Sequence, residues 1–254
     1  MIEKNSSVKK RIWRVIIIIV AVVLLLASAF YYYVNQAYEP SDAAIAILSE
    51  TETDEYTIEE TAGERIVFTP TGEITAGIIF YPGGKVEYEA YVPLMQKLAK
   101  SGYLCVLLHM PYNLAIFDED AADGIISEFS EVDSWYLSGH SLGGVFACRY
   151  AAKHTEDYKG LILLGAYADC DLSDTDLNVL CIYGSNDGVM NLQKYENAKA
   201  NLPDSFEEFV IDGGNHAYFG DYGEQSGDGT AEISADEQME STVDAITSWM
   251  GLYE

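Results

Sequence analysis

Positive charge is scarce in this chain. Its 254 residues carry 14 Lys and Arg against 41 Asp and Glu, a formal net charge of −27. Five basic residues (Lys4, Lys9, Lys10, Arg11, Arg14) and one acidic residue precede Val15. The remainder therefore holds nine basic against forty acidic residues, a net of −31. Such a surface is repelled by phosphate backbones and anionic head groups, which argues against a nucleic-acid partner. Cysteine is also sparse, with only Cys105, Cys148, Cys170 and Cys181. They form no CxxC and no metal-ligand spacing, so no metal centre and no cofactor is expected. Most read as small buried residues, with Cys170 the one available to a disulfide in an exported chain. No internal repeat is present. Histidine occurs only at 109, 140, 154 and 216.

Apolar residues are plentiful by contrast. Val15–Val34 is a 20-residue stretch without charge, enough to span a bilayer as a helix. The basic cluster before it places the N-terminus inside, and Tyr31-Tyr32-Tyr33 supplies interfacial aromatics. Ala27-Ser28-Ala29 also resembles a signal-peptide cleavage site. No Cys follows closely enough for a lipid anchor. The organisation expected is a cytoplasmic basic tail (1–14), a transmembrane signal anchor or cleaved signal peptide (15–34), an acidic juxtamembrane spacer (35–63) and a domain carrying the chemistry (64–254). That domain lies extracytoplasmically, or is secreted if the leader is cut.

From Glu64 strands and helices alternate. Strands are expected at Arg65–Thr69, Ile74–Phe80, Tyr103–Leu108, Trp135–Leu137, Leu161–Leu164, Val179–Tyr183 and Phe206–Ile211. Helices are expected around Tyr91–Leu98, within Asp120–Phe129, after Gly143, around Leu192–Ala200, and from a capping box at Ser234–Glu237 to Trp249. This alternation predicts an α/β fold with a doubly wound, mainly parallel sheet.

Gly139-His140-Ser141-Leu142-Gly143 lies between a strand and a helix start. Ser at the centre of Gly-x-Ser-x-Gly in that context is a nucleophile elbow. A serine hydroxyl needs a base, and the base an orienting acid; where proteins with this strand–elbow–helix arrangement carry them, they follow in the chain order Ser, Asp or Glu, His. His216 is the candidate base. His140 lies inside the elbow and points away from Ser141, His154 sits near a helix end, and His109 precedes the serine. Asp187, in the turn after Val179–Tyr183, is the candidate acid, with Asp169 and Asp171 as competitors. The oxyanion hole is expected from the amide of Leu142 and from Tyr81-Pro82-Gly83-Gly84-Lys85, where Gly84 is preferred over Gly83 or Lys85. Lys85 and Asn113 are candidate pocket residues, with Met110–Leu114, Tyr218 and Phe219 following strand ends nearby.

These residues resemble the α/β-hydrolase superfamily, and more narrowly the lid-poor "α/β hydrolase fold-5" group of dienelactone hydrolase-like proteins. The resemblance runs from about Glu64 to Tyr253. It rests on Tyr81–Val86, Met110–Ala115, Gly139–Gly144, Tyr183–Gly188, Gly213–Ala217 and Phe219–Gln225. It implies Ser141 as nucleophile, Asp187 as acid and His216 as base, on an α/β-hydrolase sheet without a sizeable cap domain. The link from Gly165 to about Asn178 leaves no room for a cap, so an open site is expected. The serine, where dienelactone hydrolase has a cysteine, means that lactone specificity is not inherited.

The function expected is a serine hydrolase, a carboxylesterase acting on small or accessible acyl esters through an acyl-enzyme. Alternatives are an acyltransferase or amidase working on cell-envelope components, and a non-catalytic binding protein on a hydrolase fold.

Overall fold

The computed structural model describes the backbone of residues 2–61 and 63–253, with side chains from Arg11 onward. The chain divides after Ala37 into two units. The first is dominated by one helix, α1 (Ile2–Val34). Within it Arg11–Val34, 24 residues, is long and apolar enough to cross a membrane. By length and composition it fits a membrane anchor or a signal sequence.

The second unit begins at Tyr38. Its elements in chain order are α2 (Asp42–Leu48), β1 (Tyr56–Thr61), β2 (Arg65–Pro70), β3 (Ala76–Tyr81), α3 (Val92–Lys100), β4 (Tyr103–Leu108), α4 (Ile125–Glu128), β5 (Trp135–His140), α5 (Leu142–Lys153), β6 (Gly160–Leu164), β7 (Asn178–Gly184), α6 (Leu192–Ala198), β8 (Glu207–Ile211) and α7 (Ala235–Met250). Among the described residues the strands form one eight-stranded sheet, ordered β1-β2-β4-β3-β5-β6-β7-β8. β2 runs antiparallel to both β1 and β4, and every other pairing is parallel.

All six residues of β3 are buried. The strand period of two sends Ile78 and Phe80 into the core with α3 and α7, and Ile79 and Tyr81 into the core with α5 and α6. A sheet covered on both faces needs apolar runs rather than alternation, which is what its central strands carry. Each such side chain contributes about 1.5–3 kcal/mol through burial. The last helix opens on the expected capping box, with Ser234 and Glu237 bonding each other's backbone.

The sheet order also places the site. From β3 the chain crosses to β4 on one side, whereas β5 pairs with β3 on the other. Loops leaving the carboxyl ends of β3 and β5 therefore diverge and open a crevice at a topological switch point. The register Tyr81↔Gly139 sets those two ends side by side.

Three expectations need adjustment. The segment 35–63, whose composition leaves room for a short helix within a spacer, also supplies a strand. Its residues 42–48 form α2, and Tyr56–Thr61 forms edge strand β1. Only Tyr56 and Ile58 of that strand are buried, so its apolar signal is thin. The helix expected within Asp120–Phe129 is a single turn, α4. Strand β5 runs through Gly139 and His140, so the elbow turn is confined to Ser141. Residues 165–177, between β6 and β7, hold no helix or strand.

Candidate active site

Ser141 joins β5 to α5 with φ 52° and ψ −121°. An L-residue keeps such a conformation only when its surroundings impose it. The cause is steric. A Cβ on Gly139 would lie 2.7 Å from the backbone of Gly143, and one on Gly143 would lie 2.2 Å from the carbonyl oxygens of Tyr81 and Pro82. The end of β3, the end of β5 and the first turn of α5 thus meet backbone to backbone. The Ser141 amide donates to the Leu164 carbonyl of β6 at 2.9 Å. The side chain stands at the positive end of the α5 dipole.

His216 follows β8 and Asp187 follows β7. His216 Nδ1 and Asp187 Oδ2 are 2.7 Å apart, and the two side chains are 1% and 0% exposed. Asp187 Oδ1 accepts from the amides of Val189 at 2.9 Å and Met190 at 2.7 Å. These amides hold the carboxylate in place and offset its lost hydration. Gly165, at the exit of β6, has φ +52°, and a Cβ there would stand 2.9 Å from His216 Nδ1. The pair therefore packs directly on the β6 exit.

Among the described residues, His216 Nε2 is buried with no hydrogen-bond partner. The structure brings Asp187 and His216 together and sets Ser141 on its turn, without a hydrogen bond between Ser141 and His216. The open site expected from the short β6–β7 link is met only in part. Ser141 is half-buried, while Asp187 and His216 are closed off from solvent.

The competing carboxylates are engaged elsewhere. Asp169 takes both its carboxylate oxygens into an ion pair with Arg149, and Asp171 accepts from the Ser173 amide and hydroxyl. His154 caps the end of α5 and stacks on Tyr150 at 4.2 Å. His109 packs edge-on against Tyr88 at 5.0 Å. His140 is fully buried, with its ring 4.6 Å from that of His216. Burial, with the His216 ring adding to it, holds the His140 pKa well below the usual histidine range, so its ring is neutral. Its Nδ1 lies 2.7 Å from the hydroxyl of buried Tyr91.

That hydroxyl also accepts the Gly83 amide at 3.0 Å. The Lys85 amide donates to the Asn113 carbonyl at 2.7 Å. Of the three amides in this loop, only that of Gly84 has no acceptor among the described residues. Gly84 lies beside Leu142, since a Cβ on it would stand 2.8 Å from Leu142 Cδ2. Lys85 and Asn113, both in the left-handed region, are brought together by their backbone bond. Phe219 is a core residue packed on His140 at 5.5 Å, and Met110 is buried, so neither is a free lining group.

Two features escaped the sequence reading. Tyr38, inside the expected spacer, donates its amide to the Lys85 carbonyl at 2.7 Å and accepts from the Glu87 amide at 3.0 Å, bracing the loop that holds Gly84. Asp228 Oδ1 accepts from the amides of Gly188, His216 and Gly229, and Oδ2 from that of Ala217. One carboxylate so ties the Asp187 turn to the His216 turn. A lone Asp between Gly227 and Gly229 carries no spacing signal that marks it.

A model of the alpha/beta hydrolase family matches residues 77–240. The chain belongs to the alpha/beta hydrolase family. No curated protein gives a significant match. Among solved structures, the chain is similar to a "predicted CIB-like hydrolase" from Thermoplasma acidophilum, at 16% identity over 76% of this chain and 98% of that one, TM-score 0.53. It is similar to Est1E from Butyrivibrio proteoclasticus, at 14% identity over 77% and 97%, TM-score 0.55. It is also similar to alpha/beta hydrolase domain-containing protein 10 from mouse, at 14% identity over 79% and 100%, TM-score 0.54. At these identities the likeness is one of fold. The family supports a hydrolase with a small-molecule substrate.

Proposed function

We propose that this alpha/beta hydrolase is a serine carboxylesterase, held at the cell membrane by its N-terminal helix with the catalytic domain outside, acting on small or accessible acyl esters. The observation that carries the reading is the buried 2.7 Å hydrogen bond between Asp187 and His216, packed on Gly165, next to Leu164, whose carbonyl takes the amide of the strained Ser141. A buried carboxylate on Nδ1 fixes the imidazole tautomer that leaves Nε2 as the base, and stabilises the imidazolium once formed.

In this mechanism Ser141 Oγ attacks the ester carbonyl while His216 Nε2 takes its proton. The tetrahedral oxyanion is held by the amide of Leu142, at the start of α5, and by that of Gly84, which has no acceptor among the described residues. Collapse expels the alcohol, which takes the proton back from His216. Water, deprotonated by His216, then attacks the acyl-serine and releases the acid. The Ser141–His216 hydrogen bond forms when substrate is bound, since such bonds are commonly loose in the free enzyme. No step calls for a metal or cofactor.

The test is labelling of the full-length protein in detergent with a fluorophosphonate, the adduct mapped by mass spectrometry, beside Ser141→Ala and His216→Ala. The expected result is one adduct on Ser141, absent from both variants, with ester turnover lost in parallel. A folded protein that takes no adduct and hydrolyses no ester would overturn the reading.

A further inference from the structure

Cys148 and Cys170 stand apart from the other two cysteines. Their sulfurs are 2.7 Å apart, well inside van der Waals contact, whereas Cys105 and Cys181 are buried singly in β4 and β7. Cys148 is buried on α5 and Cys170 is half-buried in the β6–β7 connection, 22 residues later. The neighbours of each are also paired, because Arg149 binds Asp169. Two consecutive residues of α5 thus meet two consecutive residues of the loop, one couple ionic and the other sulfur to sulfur.

We propose that Cys148 and Cys170 are a disulfide-forming pair that staples α5 to the β6–β7 connection. The oxidant is a small-molecule disulfide of the surrounding medium. The Cys170 sulfur attacks it, expelling one thiol and forming a mixed disulfide. The Cys148 sulfur then displaces the second thiol and closes the Cys148–Cys170 bond. Two protons and two electrons leave on the two released thiols. Cys170 is the attacking member because it is the reachable one. The contact with the Cys148 sulfur also lowers the pKa of Cys170, while that same contact and burial raise that of Cys148.

The staple acts where the loop matters. Gly165 and Ala166, at its start, pack on His216 and on Gly144 of α5. Closing a loop of this length removes freedom mainly from the unfolded chain, so the gain appears as thermal stability. This inference does not depend on the esterase reading, because none of its measurements is an activity.

The test uses the full-length protein in detergent, incubated with oxidised glutathione, denatured without reductant and alkylated. The expected result is a mass lower by two hydrogens, a linked peptide containing Cys148 and Cys170, and alkylation of Cys105 and Cys181 alone. Reductant should then lower Tm by roughly 5–10 °C, and Cys170→Ser should abolish that response. Four alkylated cysteines, or a glutathione adduct that stays on Cys170 without closure, would overturn the proposal.

Discussion

Asp228 accepts the backbone amide of His216 at 3.2 Å, and through the same oxygen the amide of Gly188 at 3.0 Å, one residue beyond Asp187. The imidazole and the carboxylate that pairs with it are held in register by a third residue that bonds to the backbone amides of their turns. A buried Asp–His contact of 2.7 Å is sensitive to small shifts of either turn, and this carboxylate ties the two turns together.

Asp228→Ala leaves four amides short of their acceptor. Each loses a charge-assisted bond, and the half-buried setting lets water replace part of it. The expected outcome is a loss of about 2–3 kcal/mol of stability and a fall in ester kcat of roughly ten- to a hundredfold. Urea unfolding and steady-state kinetics on the same preparation measure both. Unchanged kcat at lowered stability would assign Asp228 a purely structural part.

Ser141 holds φ 52°, a conformation glycine adopts without strain. Ser141→Gly should therefore raise stability by about 1 kcal/mol while abolishing ester turnover. Ser141→Ala keeps the Cβ and should lose activity without that gain. Comparing the two unfolding midpoints separates turn strain from the loss of the hydroxyl.

His140 gives stability a pH dependence. Its folded pKa is depressed by burial, while the unfolded side chain titrates near the ordinary value of about 6.5. Above that pH neither state carries the proton and the stability is fully present. As pH falls below it, only the unfolded chain binds the proton, so stability declines by up to about 1.4 kcal/mol per unit until the folded pKa is reached. His140→Asn, which keeps a group for the Tyr91 hydroxyl, should flatten this decline between pH 6.5 and 5. Urea midpoints across that range test it, because the carboxylate contributions are common to both proteins.

The strand–helix alternation from β2 to α7, the elbow around Ser141 and the capping box at Ser234 were all legible in the chain. Each is written in local chemistry: apolar runs, glycines where backbones touch, a serine three residues before a glutamate. Edge strand β1 was not legible, because it buries only Tyr56 and Ile58. The helix within Asp120–Phe129 was legible, but not that it would be the single turn α4. The candidate residues Ser141, Asp187 and His216 followed from motif and chain order. Asp228 and Tyr38 did not, since, the neighbouring Gly229 amide aside, their parts are played against backbone amides and carbonyls 11 to 49 residues away.

By itself, then, the sequence determined the residue types, their order and the elements that carry them, because those depend on neighbours a few positions apart. Only the tertiary structure decided which loop amide has no acceptor, which aspartate meets His216, and which two of four cysteines touch. Those outcomes depend on the sheet order β4-β3-β5 and its register, which bring distant strand ends together, and no local pattern encodes a distance between them.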